Sequence, residues 1–480
     1  MGSSDAGLAA LLIAGGDARL VIDRDTGRNK YFCPPRPAPD IVCFASCTGS
    51  PITTEGWRAA AESLRRMQAR CGSHHEREVL QLEATELAAA LGAALGTTDV
   101  AQILLTPSGT DATLLLTCLL VAERRGRPIV SIMAAHEETG SGVPLAAAGR
   151  HFCDLAADGR RVPRGESLHG LPRMETLNIP LRCHDGRVRR ADAIAADFAA
   201  AVAAASPAHP VVHLMECSKS GLRAPQDIPR DADVVVDACQ GRISATRLRA
   251  YLSRGWPVLL TGSKYYGAPT FCGAVLFPAE RLAAIDRRGL PAGLAAYGYD
   301  AHAAQPAANM GTVLRWAAAL DEIKRCAKGS APGFRMSALA EEIDARIRAT
   351  AGIRAVPMPE DDADAAADRW PQSIHTFAVC DPADENRLLT MAELRLLYAE
   401  LADDGILVGQ PVAIGRSYGA LRIAIGAPSL RDPAIEVKLQ RLFSAIERRI
   451  RGNSRESRPA VARTLTGTQA AAGVSPADRP

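Results

Sequence analysis

Three separated segments each end an apolar run of strand type with a short polar cluster, and together they constrain this chain more than anything else in it. Ile103-Leu104-Leu105 leads into Ser108-Gly109-Thr110-Asp111, Val234-Val235-Val236 into Asp237-Ala238-Cys239-Gln240, and Val258-Leu259-Leu260 into Thr261-Gly262-Ser263-Lys264. Open α/β sheets bind their ligands beyond the carboxyl ends of the strands. A cup for an anion, a carboxylate and a lysine therefore come, in that order, to one edge of a sheet.

The surrounding pattern predicts the sheet itself. Between Ala101 and Phe277, β-type runs (Ile103–Leu105, Ile129–Met133, Val211–Met215, Val234–Val236, Val258–Leu260, Ala274–Phe277) alternate with helical stretches at Asp111–Arg125, Ala191–Ala205 and Thr246–Arg254. Such alternation predicts an α/β fold with a mostly parallel, seven-stranded type of sheet covered by helices. Residues 1–98 read as an N-terminal helical and extended segment and 99–310 as the large domain. Residues 311–452 read as a linker helix and a smaller C-terminal α+β domain, with strands at Ile374–Val379 and Leu421–Ile425 and a helix at Met391–Asp403. Beyond Gly452 the composition turns to Ser, Arg, Thr, Ala and Pro without apolar periodicity, so 453–480 is expected to be a disordered tail.

Composition excludes several classes of partner. A net charge of +3, with basic residues scattered among nearly as many acids, gives no reason to invoke nucleic acid or a membrane surface. No apolar run reaches the roughly 20 residues that a spanning helix needs, and the start, Met1-Gly2-Ser3-Ser4-Asp5-Ala6, has no basic leader. The twelve cysteines show no CxxC spacing and several lie in apolar runs, which predicts buried thiols in a reducing cytoplasm and no metal site.

The three polar clusters match the separate demands of pyridoxal phosphate. A phosphate suits the N-terminus of a helix, where backbone N–H groups are unpaired. Ser108-Gly109-Thr110 opens such a helix, although an ordinary N-cap with a turn glycine has the same pattern. A carboxylate must hold the ring nitrogen protonated, and Asp237 ends an apolar strand where an unpaired charge is costly; a helix cap is the alternative. Gln240 can meet the ring's phenolic oxygen or face solvent from a loop. Lys264 leaves a buried strand, so its amine is placed for covalent chemistry, against the alternative of a surface lysine with a buried stem.

With these segments in this order, the chain resembles the fold type I pyridoxal phosphate enzymes, and among them the class V aminotransferase and cysteine desulfurase group, over about Gln102 to Pro428. The resemblance implies phosphate contacts from Ser108, Gly109, Thr110 and Ser263 with Thr261 nearby, Asp237 at the pyridine nitrogen, Gln240 at the phenolic oxygen and Lys264 as the Schiff-base lysine. It also implies His136 stacked on the cofactor face, a place that Glu137 or Glu138 can equally take, and Arg422 on the α-carboxylate of an amino acid. Arg416 is a candidate for a second acidic group. A homodimer acting on a small amino acid or amine is expected by the same resemblance.

The reaction expected first is transamination. A C–S or other β-lyase acting on a cysteine-like substrate is the alternative, and a non-catalytic cofactor or effector sensor is the reading from another class. Two departures from the group's pattern bear on substrate choice: Gly267-Ala268-Pro269 replaces Gly-Pro after the lysine, and Glu216-Cys217-Ser218-Lys219 adds a charged pair near the cofactor's place. Cys380, the best-placed candidate for a persulfide carrier, abuts Asp381, which raises a thiol's pKa. Persulfide chemistry is discounted on that ground.

Overall fold

The structure, a computed structural model, describes residues 2–452 except 72–74, 226–227, 287–288, 301–304, 307–308, 329–331, 360–369 and position 417. The segment expected to be a tail, 453–480, lies outside the described residues. Strand β1 (Val42–Phe44) is followed by β2 (Ala101–Thr106), β3 (Ile129–Ala134), β4 (Glu175–Ile179), β5 (His209–Met215), β6 (Asp233–Ala238), β7 (Val258–Thr261) and β8 (Gly273–Pro278). β2 to β8 form one seven-stranded sheet in the order β2-β8-β7-β6-β5-β3-β4. β8 runs antiparallel to both of its neighbours and every other pair is parallel.

This topology explains the uninterrupted apolar runs. In β6, Val234 and Val236 join the core on one face of the sheet while Val235 joins the core on the other; in β7, Val258 and Leu260 are divided from Leu259 in the same way. Both faces are dry, so alternation with polar residues disappears. The helix Gly109–Glu123 fills one face and is buried from Thr110 to Val121. The helix Met310–Lys328 packs into the opposite core through Val313, Leu314 and Trp316. Within this sheet the edge strand β4 carries a polar, largely exposed pattern.

A short ribbon pairs β9 (Tyr299–Asp300) with β10 (Gln305–Pro306). The remaining strands, β11 (Ile353–Ala355), β12 (Ile374–Asp381), β13 (Asp384–Leu388), β14 (Ile406–Ile414) and β15 (Tyr418–Ala424), build a second sheet. Its order is β1-β14-β15-β12-β11, with β13 paired to the end of β12 at Cys380 and Asp381. The early strand β1 lies parallel to β14 at the edge of that sheet, so the N-terminal segment crosses from the large sheet to the small one. The helix Met391–Asp403 starts at a capping box in which Thr390 and Glu393 satisfy each other's backbone N–H. No helix among the described residues is long and apolar enough to cross a membrane.

Candidate active site

The turns after β2, β3, β5, β6 and β7 all leave the same edge of the large sheet, and each carries one or more of the residues singled out above. After β2, Ser108 caps the helix Gly109–Glu123. The N–H groups of Gly109 and Thr110 have no acceptor within the helix, as for any first turn. A β-carbon on Gly109 would stand 3.0 Å from both Cys239 Sγ and Thr261 Cγ2. The three clusters therefore meet at one point, and only glycine leaves room there for a group to approach the backbone. A β-carbon on Gly273 of β8 would lie 2.2 Å from the Ser108 carbonyl oxygen, so that position too must lack a side chain.

The hydroxyls around this cradle are not equivalent. Ser108 Oγ donates to Asp111 Oδ2 at 2.5 Å and accepts from Arg19 Nη2 at 3.0 Å, so it faces the N-terminal segment. Burial, with the Asp17 carboxylate nearby, pushes the Asp111 carboxyl up to about 7. Thr261 Oγ1 donates to the Cys239 carbonyl at 2.6 Å, locking the β6 and β7 turns together. Ser263 Oγ is wholly buried and has no hydrogen-bond partner among the described residues. Free helix N–H groups in a cradle without a side chain fit an anion such as a phosphate, and a buried hydroxyl without a protein partner calls for one from outside.

Asp237 is half-buried near the end of β6, and its Oδ1 accepts from the Cys239 N–H at 3.0 Å. Its charge is felt by His213 on the neighbouring strand β5, where burial still holds the imidazole down at about 4 and hence neutral. His136 begins the short helical turn after β3, its N–H held by Asn178 Oδ1 at 2.8 Å. Its Nε2 is buried without a partner among the described residues, and burial lowers the imidazole's pKa. Ala135 before it is held at φ 45°, which aims the turn back over the sheet edge at a steric cost. His136 and Asp237 both act on His213, so an imidazole and a carboxylate come to the same part of the sheet edge, a combination that suits an aromatic cofactor with a ring nitrogen.

Gln240 is buried and donates from Nε2 to the Cys47 carbonyl at 3.3 Å. Its other end is held by Arg242, which the sequence did not single out. Arg242 donates to Gln240 O at 3.0 Å and Gln240 Oε1 at 3.1 Å, to Ser373 Oγ and Ser46 Oγ at 2.8 Å, and to Ile425 O at 3.0 Å. This one guanidinium joins the β6 turn to the N-terminal segment and the small sheet, and all of these acceptors are neutral. Arg242→Met should cost about 2–4 kcal/mol, because several buried acceptors lose their donor at once. Chemical denaturation of the pure protein measures the loss, and a change near zero contradicts the role.

Lys264 is half-buried three positions beyond β7, and its amine has no partner among the described residues. The thiols of Cys217 and Cys239 lie within reach of its charge; burial pushes Cys217 up to about 11 and raises Cys239 well above the ordinary thiol value. Cys380 sits buried in β12 opposite Leu388, within a strand. Arg422, on β15, is only 2% exposed. Its Nε donates to Gln410 O at 3.0 Å, Nη2 to the same carbonyl at 2.5 Å and to Thr48 Oγ1 at 3.0 Å, and Nη1 to Lys219 O at 3.1 Å. Arg416 is exposed on the β14–β15 hairpin, and Ser417 beside it lies outside the described residues.

The segment Ser46–Pro51 therefore lines the site through Cys47 and Thr48. Sequence spacing carried no sign of this contact, which joins residues hundreds of positions apart. The expected charged pair at Glu216 and Lys219 divides: Glu216 accepts from Tyr251 at 2.7 Å and pairs with Arg247 behind the sheet edge, while Lys219 stays by Arg422 and Lys264.

Comparison with solved structures places this arrangement among known architectures. The Escherichia coli cysteine desulfurase CsdA is 14% identical, with a TM-score of 0.53 over 86% of this chain and 95% of its own. The cystine C–S lyase C-DES, solved with glycine covalently linked to its pyridoxal phosphate cofactor, is 13% identical, with a TM-score of 0.54 over 85% of this chain and 97% of its own. This chain has the fold of the type I pyridoxal phosphate enzymes. A serine palmitoyltransferase from Sphingomonas wittichii shares the type I fold at 13% identity, with a TM-score of 0.52 over 84% of each chain. No family model matches the sequence, and no curated protein does. The type I fold was expected from the polar clusters, and at these identities the likeness speaks to the fold.

Proposed function

We propose that the chain is a pyridoxal phosphate-dependent enzyme acting on an amino acid through Lys264, and that it is an aminotransferase of the class V type. The observation that carries the cofactor reading is the convergence of the Ser108, Cys239 and Thr261 turns on the side-chain-free cradle at Gly109. When bound, pyridoxal phosphate supplies an aldehyde for covalent capture of an amine and a ring that draws electrons from the substrate's Cα.

In this reading Gly109, Thr110 and Ser263 hold the phosphate by backbone and hydroxyl donors, and Thr261 fixes the turn that carries Ser263. Asp237 keeps a proton on the ring nitrogen, Gln240 meets the ring oxygen, and His136 covers one face. Lys264 provides the attaching amine and afterwards moves a proton at the substrate's Cα. Small-molecule substrates, a homodimer and a cytoplasmic setting belong to the same proposal.

A second reading, C–S or other β-elimination, has a specific observation in its favour: the neighbours include a cystine C–S lyase and a cysteine desulfurase over nearly their full lengths. Against a persulfide on this chain's own thiols, Cys217 and Cys239 are pushed away from the thiolate by burial. Incubating the pure protein with candidate amino acids, with and without a 2-oxo acid, separates the readings. Product that forms only with the acceptor supports transamination; acceptor-independent pyruvate, ammonia or sulfide overturns it in favour of elimination.

A further inference from the structure

We propose that Lys219 is the cation that receives the substrate's carboxylate, with Arg422 acting behind it as a positioning residue. This rests on the amino-acid reading above and deepens it, because it commits the site to a carboxylate-bearing amine over a simple amine. The argument begins with what Arg422 has left to offer. A guanidinium carries five N–H donors and binds a carboxylate best with two parallel bonds. Four of the five are already directed at Gln410 O, Lys219 O and Thr48 Oγ1, and the side chain is 2% exposed. No parallel pair remains.

Lys219 is the reverse case. It is half-buried, and its ammonium has no hydrogen-bond or ion-pair partner among the described residues. Its backbone is fixed from both sides: the N–H donates to Glu138 O at 3.0 Å and the carbonyl accepts from Arg422 Nη1 at 3.1 Å. The flanking residues are fixed as well. Ser218 Oγ and the Ser220 N–H bind Glu138 Oε2 at 2.8 and 3.0 Å, Ser220 Oγ binds Oε1 at 2.7 Å, and buried Arg182 completes the cluster at 3.3 Å. A fixed backbone turn presenting an unpaired cation suits a ligand carboxylate, since the turn itself needs no ordering on binding.

The charges around Lys219 come from every side of the site: Arg422 on β15, Lys264 after β7, Glu138 after β3 and the Cys47 thiol after β1. Burial, together with the cations Arg422 and Lys264, lowers its pKa to about 8. An incoming carboxylate relieves that repulsion and favours the protonated amine. Affinity for a carboxylate should accordingly fall as the pH rises through about 8.

The test titrates the purified holoenzyme, and Lys219→Gln and Lys219→Arg variants, with propionate and with its uncharged amide, by calorimetry. The expected result is that the native protein binds propionate at least about ten-fold more tightly than the amide, a size ordinary for one charge-assisted contact. Lys219→Gln should abolish the preference and its pH dependence, and Lys219→Arg should retain most of it. Absence of a preference in the native protein, or its survival in Lys219→Gln, overturns the proposal. If a variant fails to fold, the native pH profile decides: a preference that falls as the pH rises through about 8 requires a titrating lysine, and a preference that stays flat there overturns the proposal, since a guanidinium remains charged. Peptide mapping after borohydride reduction of the same samples reports cofactor attachment separately, so failure of the cofactor reading is visible on its own.

Discussion

Lys264→Ala should leave a folded protein that no longer retains pyridoxal phosphate covalently and whose turnover falls by at least about 1,000-fold. The size follows from losing two contributions at once, the attaching amine and the proton carrier, of which the second alone is worth about 100- to 10,000-fold. Folding should survive because the Lys264 amine has no partner among the described residues. The backbone around it is held by other bonds: Gly267 N to Lys264 O at 2.9 Å, and Ala427 N to Tyr265 O at 2.7 Å. Borohydride reduction followed by peptide mapping is the measurement. In the native protein the adduct should map to Lys264, and in the variant it should vanish. An adduct that persists on Lys219 would move the covalent role to the second amine of the site and refute the assignment.

What sequence made legible, and what it hid, has a physical pattern. β2, β6, β7 and β8 were readable because strands covered on both faces need unbroken Val, Ile and Leu. β4 was not, because it lies at the sheet edge with Glu175, Leu177 and Asn178 exposed, so no apolar run marks it. β14 was hidden by Gly409 and Pro411, which read as breakers. In the structure they fall at a shift of register between Gly409 and Val412, where the β14 carbonyl of Gln410 turns to Arg422. Gly409 is required there, since a β-carbon would come within 2.5 Å of Cys47 Sγ and 2.8 Å of Arg422 Cβ.

The site divides along the same line. Lys264, Asp237 and the Gly109 cradle could be found because each follows its own strand directly, so strand order alone brings them to one edge. Thr48, Arg242 and Lys219 act through contacts between the two sheets and the N-terminal segment, and no local spacing encodes those. Arg422 was legible as an arginine on a C-terminal strand, yet its four committed donors depend on a bulge in β14 and a turn after β5. Residue type gave its charge, while tertiary packing decides whether that charge faces a ligand.

Asp237→Asn should lower turnover by about 100- to 1,000-fold while leaving the fold intact, a loss typical of removing one preorganised electrostatic contact. The substitution is nearly isosteric, and an asparagine Oδ1 can still accept the Cys239 N–H that Asp237 Oδ1 accepts at 3.0 Å. What disappears is the negative charge that would hold a proton on the ring nitrogen. The same charge is the one attraction opposing burial at His213, so that imidazole, held down at about 4, should titrate lower still in the variant. Two measurements therefore test one cause: turnover with the preferred amino acid, and the His213 titration followed by NMR. Unchanged turnover would show that the carboxylate does not face the reacting ring. If the His213 titration rose, the two groups would not be interacting as their neighbouring strands place them.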